Sequence, residues 1–530
     1  MTRRAVVIGL DGATWKVLRP ILQDGAMPRL ASVLDHSAWG TLRSTVPPYT
    51  PPAWTSAATG VNPGRHGIFG FVRGRDRPRL SHWGAVQAPA IWQYLAARGG
   101  TTGLFHLPLT YPPPAIEGWA VGAVWMPTGR AIRGFASPRE VEDRILELVP
   151  GYPPATGVEI FDDWRDPGLA ARIEATVRQR RIVLADVLER WPTDLVWAVL
   201  EAPDRIHHAY YKYLDPDEPL AGTPAATEVR RAVRSAFAAV DDVVGVLDDF
   251  AGPEGVSLVC SDHGATGWQG YVFGNVLLAH EGLVTLRASG RVMRAARVSG
   301  FGTLARRLVP GRVSYRLRRR VQALIDPGRT EAFATRLGSQ GFSLNLAGRE
   351  PGGSVGPEDA PAVLERLETV LRAARTPGGD PLFPSVLRRE AVYHGPHAGE
   401  APDLVVEPAG WQWEVNDAVG TSALFRDVSA LPLGCHHPDG VFALRAPGVT
   451  PTAQVRANIL DVLPTMLYAM GEGVPEGLDG GTRRDLFGPS SPAVVTVSAP
   501  QGVGAVGQHP YSAEEEALIT RYLTDLGYLG

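Results

Sequence analysis

Three uninterrupted apolar runs, each closed by a polar cluster, set the pattern of the chain. Ala5-Val-Val-Ile-Gly-Leu10 ends on Asp11-Gly12, Asp194-Leu-Val-Trp-Ala-Val-Leu200 on Glu201-Ala-Pro-Asp204-Arg-Ile-His-His208, and Gly255-Val-Ser-Leu-Val-Cys260 on Ser261-Asp262-His263-Gly264. Apolar runs without polar alternation predict strands buried on both faces, as in a parallel sheet covered by helices. Helical periodicity fills the intervals. It covers residues 14–34, broken at Gly25 and Pro28, then 169–191, then 225–250, where Val229, Val233, Phe237, Val240, Val244 and Leu247 form one stripe. Strands alternating with helices predict an α/β fold around a mainly parallel sheet, and in such sheets ligands collect at the carboxyl edge. Gly9-Leu-Asp-Gly12-Ala-Thr lacks the GxGxxG spacing, which weighs against dinucleotide redox chemistry.

A further stretch aims at the same edge. Residues 40–46 read as a strand feeding Thr45-Val-Pro-Pro-Tyr-Thr50-Pro-Pro-Ala-Trp-Thr-Ser-Ala-Ala-Thr-Gly60. The prolines after Thr50 suit the first turn of a helix, Thr50 suits its N-cap, and Gly60 supplies the stop. The free N–H groups of that first turn would favour an anion such as phosphate beside Thr50, although capping alone also accounts for a threonine there. In Asn62-Pro-Gly-Arg-His66-Gly-Ile, His66 reads either as a donor behind the site or as a turn histidine bonded to backbone.

The polar clusters carry metal-binding residue types. Asp204 and His208 are four apart at the start of a helix opening near Pro203, so they share a face and could bind one ion, or simply pair at the surface. His207 sits one position off that face. Asp262 and His263 form a second compact unit, and Asp11 closes the first strand. Gly434-Cys-His436-His437-Pro-Asp-Gly440 adds two histidines in what reads as a Gly/Pro loop. Any one of these pairs is commonplace; three strand ends repeating the arrangement favour a joint metal site.

The remainder is less informative. Residues 71–154 alternate short apolar runs with Pro/Gly loops and suggest no chemistry. From Asn275 an inserted region begins, with eleven arginines and no acid between Arg287 and Ile325. Leu304, Leu308, Val313, Leu317, Val321 and Leu324 interleave with them, a basic amphipathic pattern suited to an anionic membrane surface through residues 287–320, to a polyanionic substrate, or to a solvated cap helix. Residues 342–349 read as a strand and turn returning to the body, 403–407 as another strand, and 455–470 as a helix kinked at Pro464. A serine–glutamate capping box at Ser512 opens a last helix stopped by Gly527. The expected domains are a core of 1–280 and 400–487, a cap of 281–399, a linker of 488–510 and a terminal helix of 511–530.

Composition narrows the function classes. The chain has 530 residues, 44% hydrophobic and 20% charged, a globular balance for a large core. A net charge of −3 and a pI near 6.5 give no general attraction for nucleic-acid polymers. Cys260 and Cys435 fit no CxxC spacing and are expected to be buried and unpaired. No apolar run reaches 18 residues and the amino terminus lacks a signal-peptide core, so a cytoplasmic location is expected. Lys16 and Lys212 are the only lysines, a bias resembling high-GC bacterial coding.

These motifs together resemble the type I phosphodiesterase/nucleotide pyrophosphatase family of the alkaline phosphatase superfamily. The resemblance rests on Gly9-Leu-Asp11-Gly, Thr50-Pro-Pro-Ala-Trp-Thr-Ser with Thr59-Gly-Val-Asn-Pro-Gly-Arg-His66-Gly-Ile, Asp204-x-x-x-His208, Ser261-Asp262-His263-Gly and His436-x-Pro-Asp-Gly, and spans most of 5–485. It implies an αβα sandwich with a mainly parallel central sheet, an inserted cap, and two divalent metal ions at the carboxyl edge, usually Zn2+, with Mn2+ as the alternative. It implies one ion on Asp204, His208 and His436, with His437 replacing His436 if the register shifts by one, and the other on Asp11, Asp262, His263 and Thr50. It also implies hydrolysis of small phosphate esters, foremost phosphodiesters, with Thr50 as nucleophile and helix N–H groups assisting. Where such nucleotide pyrophosphatases place a phosphate-contacting Asn, this chain has Phe71, so the resemblance does not carry nucleotide preference. Rival readings are a phosphomonoesterase, phosphonate-ester hydrolase or head-group transferase on the same metals, and a silent protein docking on anionic lipid.

Overall fold

The three apolar runs lie side by side in the middle of one sheet. The computed structural model describes residues 3–74, 79–123, 133–152, 165–287, 324–335, 340–419, 423–499 and 511–525; the arginine-rich stretch 287–320, read above as a membrane-facing, polyanion-binding or solvated cap segment, lies almost wholly outside them. In chain order the main sheet uses β1 (Ala5–Leu10), β2 (Ala38–Arg43), β3 (Thr102–Phe105), β4 (Gly118–Val121), β5 (Ala136–Ser137), β6 (Leu195–Leu200) and β7 (Val256–Cys260). A hairpin-like pair, β8 (Gly264–Gly267) and β9 (Gly434–His437), stands beside it, and β10 (Asp439–Arg445) and β11 (Thr452–Asn458) complete it. Its nine strands run β11-β2-β10-β7-β1-β6-β3-β4-β5. β1 pairs in parallel with both β6 and β7, β3 with β6 and β4, and β2 with β11, whereas β10 and β5 run antiparallel to their neighbours.

Alternation along β1 divides the two helical layers. Ala5 and Val7 join Trp197 of β6, Leu258 of β7 and Trp54 in a core completed by Leu463 and Met466. Val6 and Ile8, equally buried, point to the other face. The helices that matter are α1 (Trp15–Gln23), α2 (Pro28–Asp35), α3 (Thr50–Thr59), α4 (Leu169–Arg190), α5 (Ala202–Leu214) and α6 (Pro224–Ala251). The apolar stripe read in 225–250 is the reason α6 lies against α4, α5, α2 and β1. All ten residues of α3 are buried, so its position is fixed on every side.

The chain divides into two compact units, and all strands named so far belong to the first, built on Met1–Gly70, Leu80–Gly267 and Pro432–Tyr522. The second centres on Trp268–Leu431 and is wider than the expected insertion of 281–399. Its strand Gly270–Phe273 sits between Trp413–Asn416 and Phe425–Asp427. A four-stranded antiparallel sheet is built from Ala332–Ala334, Gly341–Leu344, Leu404–Glu407 and Ser385–Arg388. The segment 342–349, expected to return to the body, therefore pairs inside this second unit, over a core containing Phe342, Phe383, Leu367 and Val406.

Other departures have local causes. Residues 455–470 are not one helix: β11 ends at Asn458, whose side chain accepts from the Leu460 N–H, and the helix Val462–Met470 follows with Pro464 in its first turn. Proline is tolerated there, so no kink arises. Part of the expected linker is paired, since Thr496–Val497 runs parallel to Val474–Pro475. The terminal helix is Ala513–Asp525, opened by reciprocal bonds between Ser512 and Glu515. Among the described residues no helix is long and apolar enough to cross a membrane.

Candidate metal and nucleophile site

Every residue singled out at a strand end belongs to the first unit, and the geometry gathers them into two triads. In each, one potential ligand atom per residue lies within 4.8 Å of the others: Asp204, His208 and His436 in one, Asp11, Asp262 and His263 in the other. The triads adjoin, because the His263 and His436 rings stack with centroids 3.8 Å apart. Thr50 Oγ1 lies 3.3 Å from His263 Nε2.

The backbone explains the placement. Parallel pairing of β1 with β7 brings Asp11 and Asp262 to the same edge, and Gly12, at φ 66°, turns so that its N–H donates to Asp262 Oδ1 at 3.2 Å. A Cβ on Gly12 would meet Asp204 Cα at 2.9 Å, so glycine is required for α5 to approach this closely. β9 resolves the two adjacent histidines. Gly434 and Pro438 suggest a loop in the sequence, but the segment is a strand paired with β8, so His436 and His437 point to opposite sides. His436 turns in toward Asp204, at 3.7 Å, and His208, at 3.0 Å; His437 Nδ1 instead accepts from the Asp439 N–H.

Thr50 is not the N-cap expected. Tyr49 holds that position and Thr50 is the first helical residue, with no side-chain capping bond at this terminus. Its hydroxyl is thereby available to the triads. The donor array expected beside it is thinner: Pro51 and Pro52 have no N–H, and the Ala53 N–H bonds Tyr49 O at 3.0 Å. Only the N–H of Thr50 itself remains from the first turn.

Four of the six potential ligands have one atom anchored and one left for a cation. Asp11 Oδ2 accepts from Trp54 Nε1 at 2.9 Å, leaving Oδ1 toward His263. Asp262 Oδ1 is held by Gly12, whereas among the described residues no donor reaches buried Oδ2, which lies 3.4 Å from His263 Nε2. His263 Nδ1 donates to Gly264 O at 2.9 Å and His436 Nδ1 to Pro48 O at 3.0 Å. Anchoring Nδ1 in this way presents the Nε2 lone pair, the usual support for a metal-binding imidazole. His207 is used otherwise, its Nδ1 donating to Gly12 O at 2.9 Å; burial pulls its pKa down to about 4 and keeps the ring neutral. His66 proves to be a local structural histidine, Nδ1 accepting from the Ile68 N–H and Nε2 meeting Ser56 Oγ at 3.0 Å.

Electrostatics point the same way. Burial raises Asp11 far above the usual carboxylate range, and the Asp262 and Asp204 charges add to it. Burial likewise pushes Asp262 up to about 6, with Asp204 contributing. Burial opposes ionisation of Asp204 too, but His208 and then His436 and His263 hold its carboxyl well below the usual range. Burial, reinforced by His263 and His208, drives His436 well below its ordinary value, so that ring is a neutral donor of its lone pair. Three buried carboxylates and three buried or half-buried imidazoles, with an enclosed oxygen lacking a partner among the described residues, fit divalent cations.

Two consequences are measurable. A carboxyl whose folded pKa is raised keeps its proton between about pH 4 and 6, and a cation must displace that proton. Zn2+-induced stabilisation of the chelated protein is therefore expected to be full near pH 7.5 and to shrink as pH falls through about 6, read as the metal-dependent shift in Tm; a shift constant from pH 7.5 to 5 would contradict the assignment. Trp54→Phe removes the donor to Asp11 Oδ2 while keeping most of a buried ring. It is expected to weaken metal affinity by about 10–100-fold in competition with a chelator.

Sequence reasoning misses Trp54, although it stands four residues after Thr50, and Ser261, whose Oγ donates to Ala13 O and accepts from the Val441 N–H, tying β7 to β10 and the Asp11 turn. Neither residue type signals such a role in a sequence.

A mainly parallel sheet between helices, with two acid–histidine triads and a threonine at its carboxyl edge, defines an alkaline phosphatase-like protein. The model of the family described as type I phosphodiesterase / nucleotide pyrophosphatase matches residues 5–436, spanning both triads and Thr50, and the chain belongs to that family of phosphoester hydrolases. Among solved structures, phosphonoacetate hydrolase from Sinorhizobium meliloti 1021 shares the fold in complexes with phosphonoacetate (TM-score 0.54, 16% identity) and with phosphonoformate (TM-score 0.53, 17% identity), each alignment covering 88% of this chain and 96% of that one. Human ectonucleotide pyrophosphatase / phosphodiesterase 5 aligns over 92% of this chain and 100% of its own, at 14% identity and a TM-score of 0.49. No curated protein matches the sequence.

Proposed function

We propose that this chain hydrolyses small phosphodiesters through a covalent phosphothreonine at Thr50, using two divalent cations, zinc foremost. The observation that carries the reading is the Thr50 hydroxyl, freed from capping and 3.3 Å from His263 Nε2 beside two adjoining triads. Asp204, His208 and His436 would hold one cation, and Asp11, Asp262 and His263 the other. Cations so held lower the pKa of a bound hydroxyl and neutralise phosphoryl oxygens.

The protein's own residues supply position. Complete burial of α3 fixes Thr50, so its Oγ1 attacks phosphorus from one direction as the first alcohol departs. Water then cleaves the Thr50–phosphoryl ester from the opposite side and restores the hydroxyl. The Thr50 N–H is the chain's one first-turn donor for a phosphoryl oxygen, a smaller contribution than a full helix terminus would give.

The test is turnover of bis-p-nitrophenyl phosphate beside p-nitrophenyl phosphate after chelation and Zn2+ or Mn2+ add-back. Metal-restored cleavage of the diester ahead of the monoester is expected. Monoester preference, or transfer to added alcohols, would favour the phosphomonoesterase or transferase reading on the same site.

A further inference from the structure

One or two strands along the carboxyl edge from Asp11 lies a buried basic cluster that the reaction above does not use. Glu201 directly follows β6, whose Leu200 O accepts from the Asp11 N–H, and His106 directly follows β3, the next parallel strand. Glu201 is level with Asp11, about 5 Å away at the spacing of adjacent strands, whereas His106, two strands over, is level with Gly9. Arg180 reaches Glu201 from α4, with NH2 2.9 Å from Oε1. Arg205 stands four residues after Glu201 on α5, and Tyr152 closes the group, its hydroxyl 2.8 Å from His106 Nε2.

Arg180 is 0% exposed, and among the described residues its Nε and NH1 have no hydrogen-bond partner. A guanidinium offers five donors, and buried donors are rarely left unused. Glu201 and the Tyr152 hydroxyl both face Arg180, and Glu201 is itself shared: Arg180 and then Arg205 overcome its burial and hold it at about 2. Two guanidinium groups thus share Glu201 in an enclosed place, and Arg205 also faces Asp11, which links the cluster to the reacting centre.

We propose that Arg180, with Arg205 and His106 alongside, forms an anion subsite for a second negatively charged group of the substrate, a carboxylate or phosphate on the alcohol retained during the first step. The preferred substrates are then small phosphodiesters carrying a second anion. This rests on the phosphodiesterase reading, and the test is arranged so that the two can fail separately.

Methyl p-nitrophenyl phosphate and carboxymethyl p-nitrophenyl phosphate share a leaving group and differ by one carboxylate. The wild-type, metal-loaded full chain should favour the carboxymethyl ester in kcat/KM by about tenfold or more, and Arg180→Gln should reduce that ratio to about twofold or less. Arg180→Lys, which keeps the charge but not the fork, should fall between them and serves if the Gln variant does not fold. Calorimetric titration of Thr50→Ala protein with carboxymethyl phosphate and methyl phosphate reads the subsite without turnover. It should show the same preference, lost with Arg180. No wild-type preference in either experiment, or an equal preference in both Arg180 variants, would overturn the subsite. Absence of turnover with the binding preference intact would instead count against the phosphodiesterase reading alone.

Discussion

Thr50→Ala is expected to lower kcat/KM for bis-p-nitrophenyl phosphate by about three orders of magnitude or more while leaving the protein folded and metal-loaded. The hydroxyl has no capping role, since Tyr49 holds the N-cap position and no side chain caps α3. Its hydrogen bond is to His263 Nε2, which serves the site rather than the fold. Losing one buried hydroxyl costs about 1 kcal/mol of stability, a shift of about 1–2 °C in Tm for a unit of this size. A variant with most of its turnover retained would remove Thr50 from the chemistry, whereas one that fails to fold would return it to a structural role.

Asp262→Asn is the second large effect. Asparagine is nearly isosteric, and its Oδ1 can still accept the Gly12 N–H now held at 3.2 Å, so the turn after β7 should persist. What disappears is the enclosed charge at Oδ2, which no donor among the described residues reaches and which serves in our account as a ligand oxygen. Metal affinity should fall by about two orders of magnitude or more, beyond the ~10–100-fold typical of losing only a supporting bond, and turnover should fall with it. The metal-free variant should be at least as stable as metal-free wild type, because the Asp262 charge that raises Asp11 is gone. Metal content by elemental analysis, together with Tm before and after chelation, checks both statements. Unchanged metal content and turnover would sink the ligand set.

How much of this is legible in the sequence depends on whether the signal is local. β1, β6 and β7 stand out because strands buried on both faces leave no polar residue inside the run, and their polar closures carry the aspartates to one edge. The opening of α3 is visible, but not which residue caps it, since prolines at the start of a helix fit either register. His436 and His437 cannot be told apart while Gly434 and Pro438 suggest a loop; only pairing with β8, about 170 residues earlier, imposes strand alternation. Val455 and Ala457 alternate in β11 but also fit the helical period of Leu463 and Met466 just after them. Short strands such as Gly270–Phe273 pair with partners roughly 140–160 residues away, so the limits of the second unit have no local mark. Arg180, flanked in sequence by Arg178 and Arg181, looks like part of a solvated face, although it is fully buried.

The central claim is a covalent step at Thr50, and the most direct measurement is acid quenching of single-turnover reactions with a phosphorus-labelled diester, followed by peptide mapping. The account predicts label on the peptide containing Thr50, formed and lost at rates compatible with turnover, and absent in chelated protein and in Thr50→Ala. Metal-dependent turnover with no labelled peptide, or with label on another residue, would contradict it.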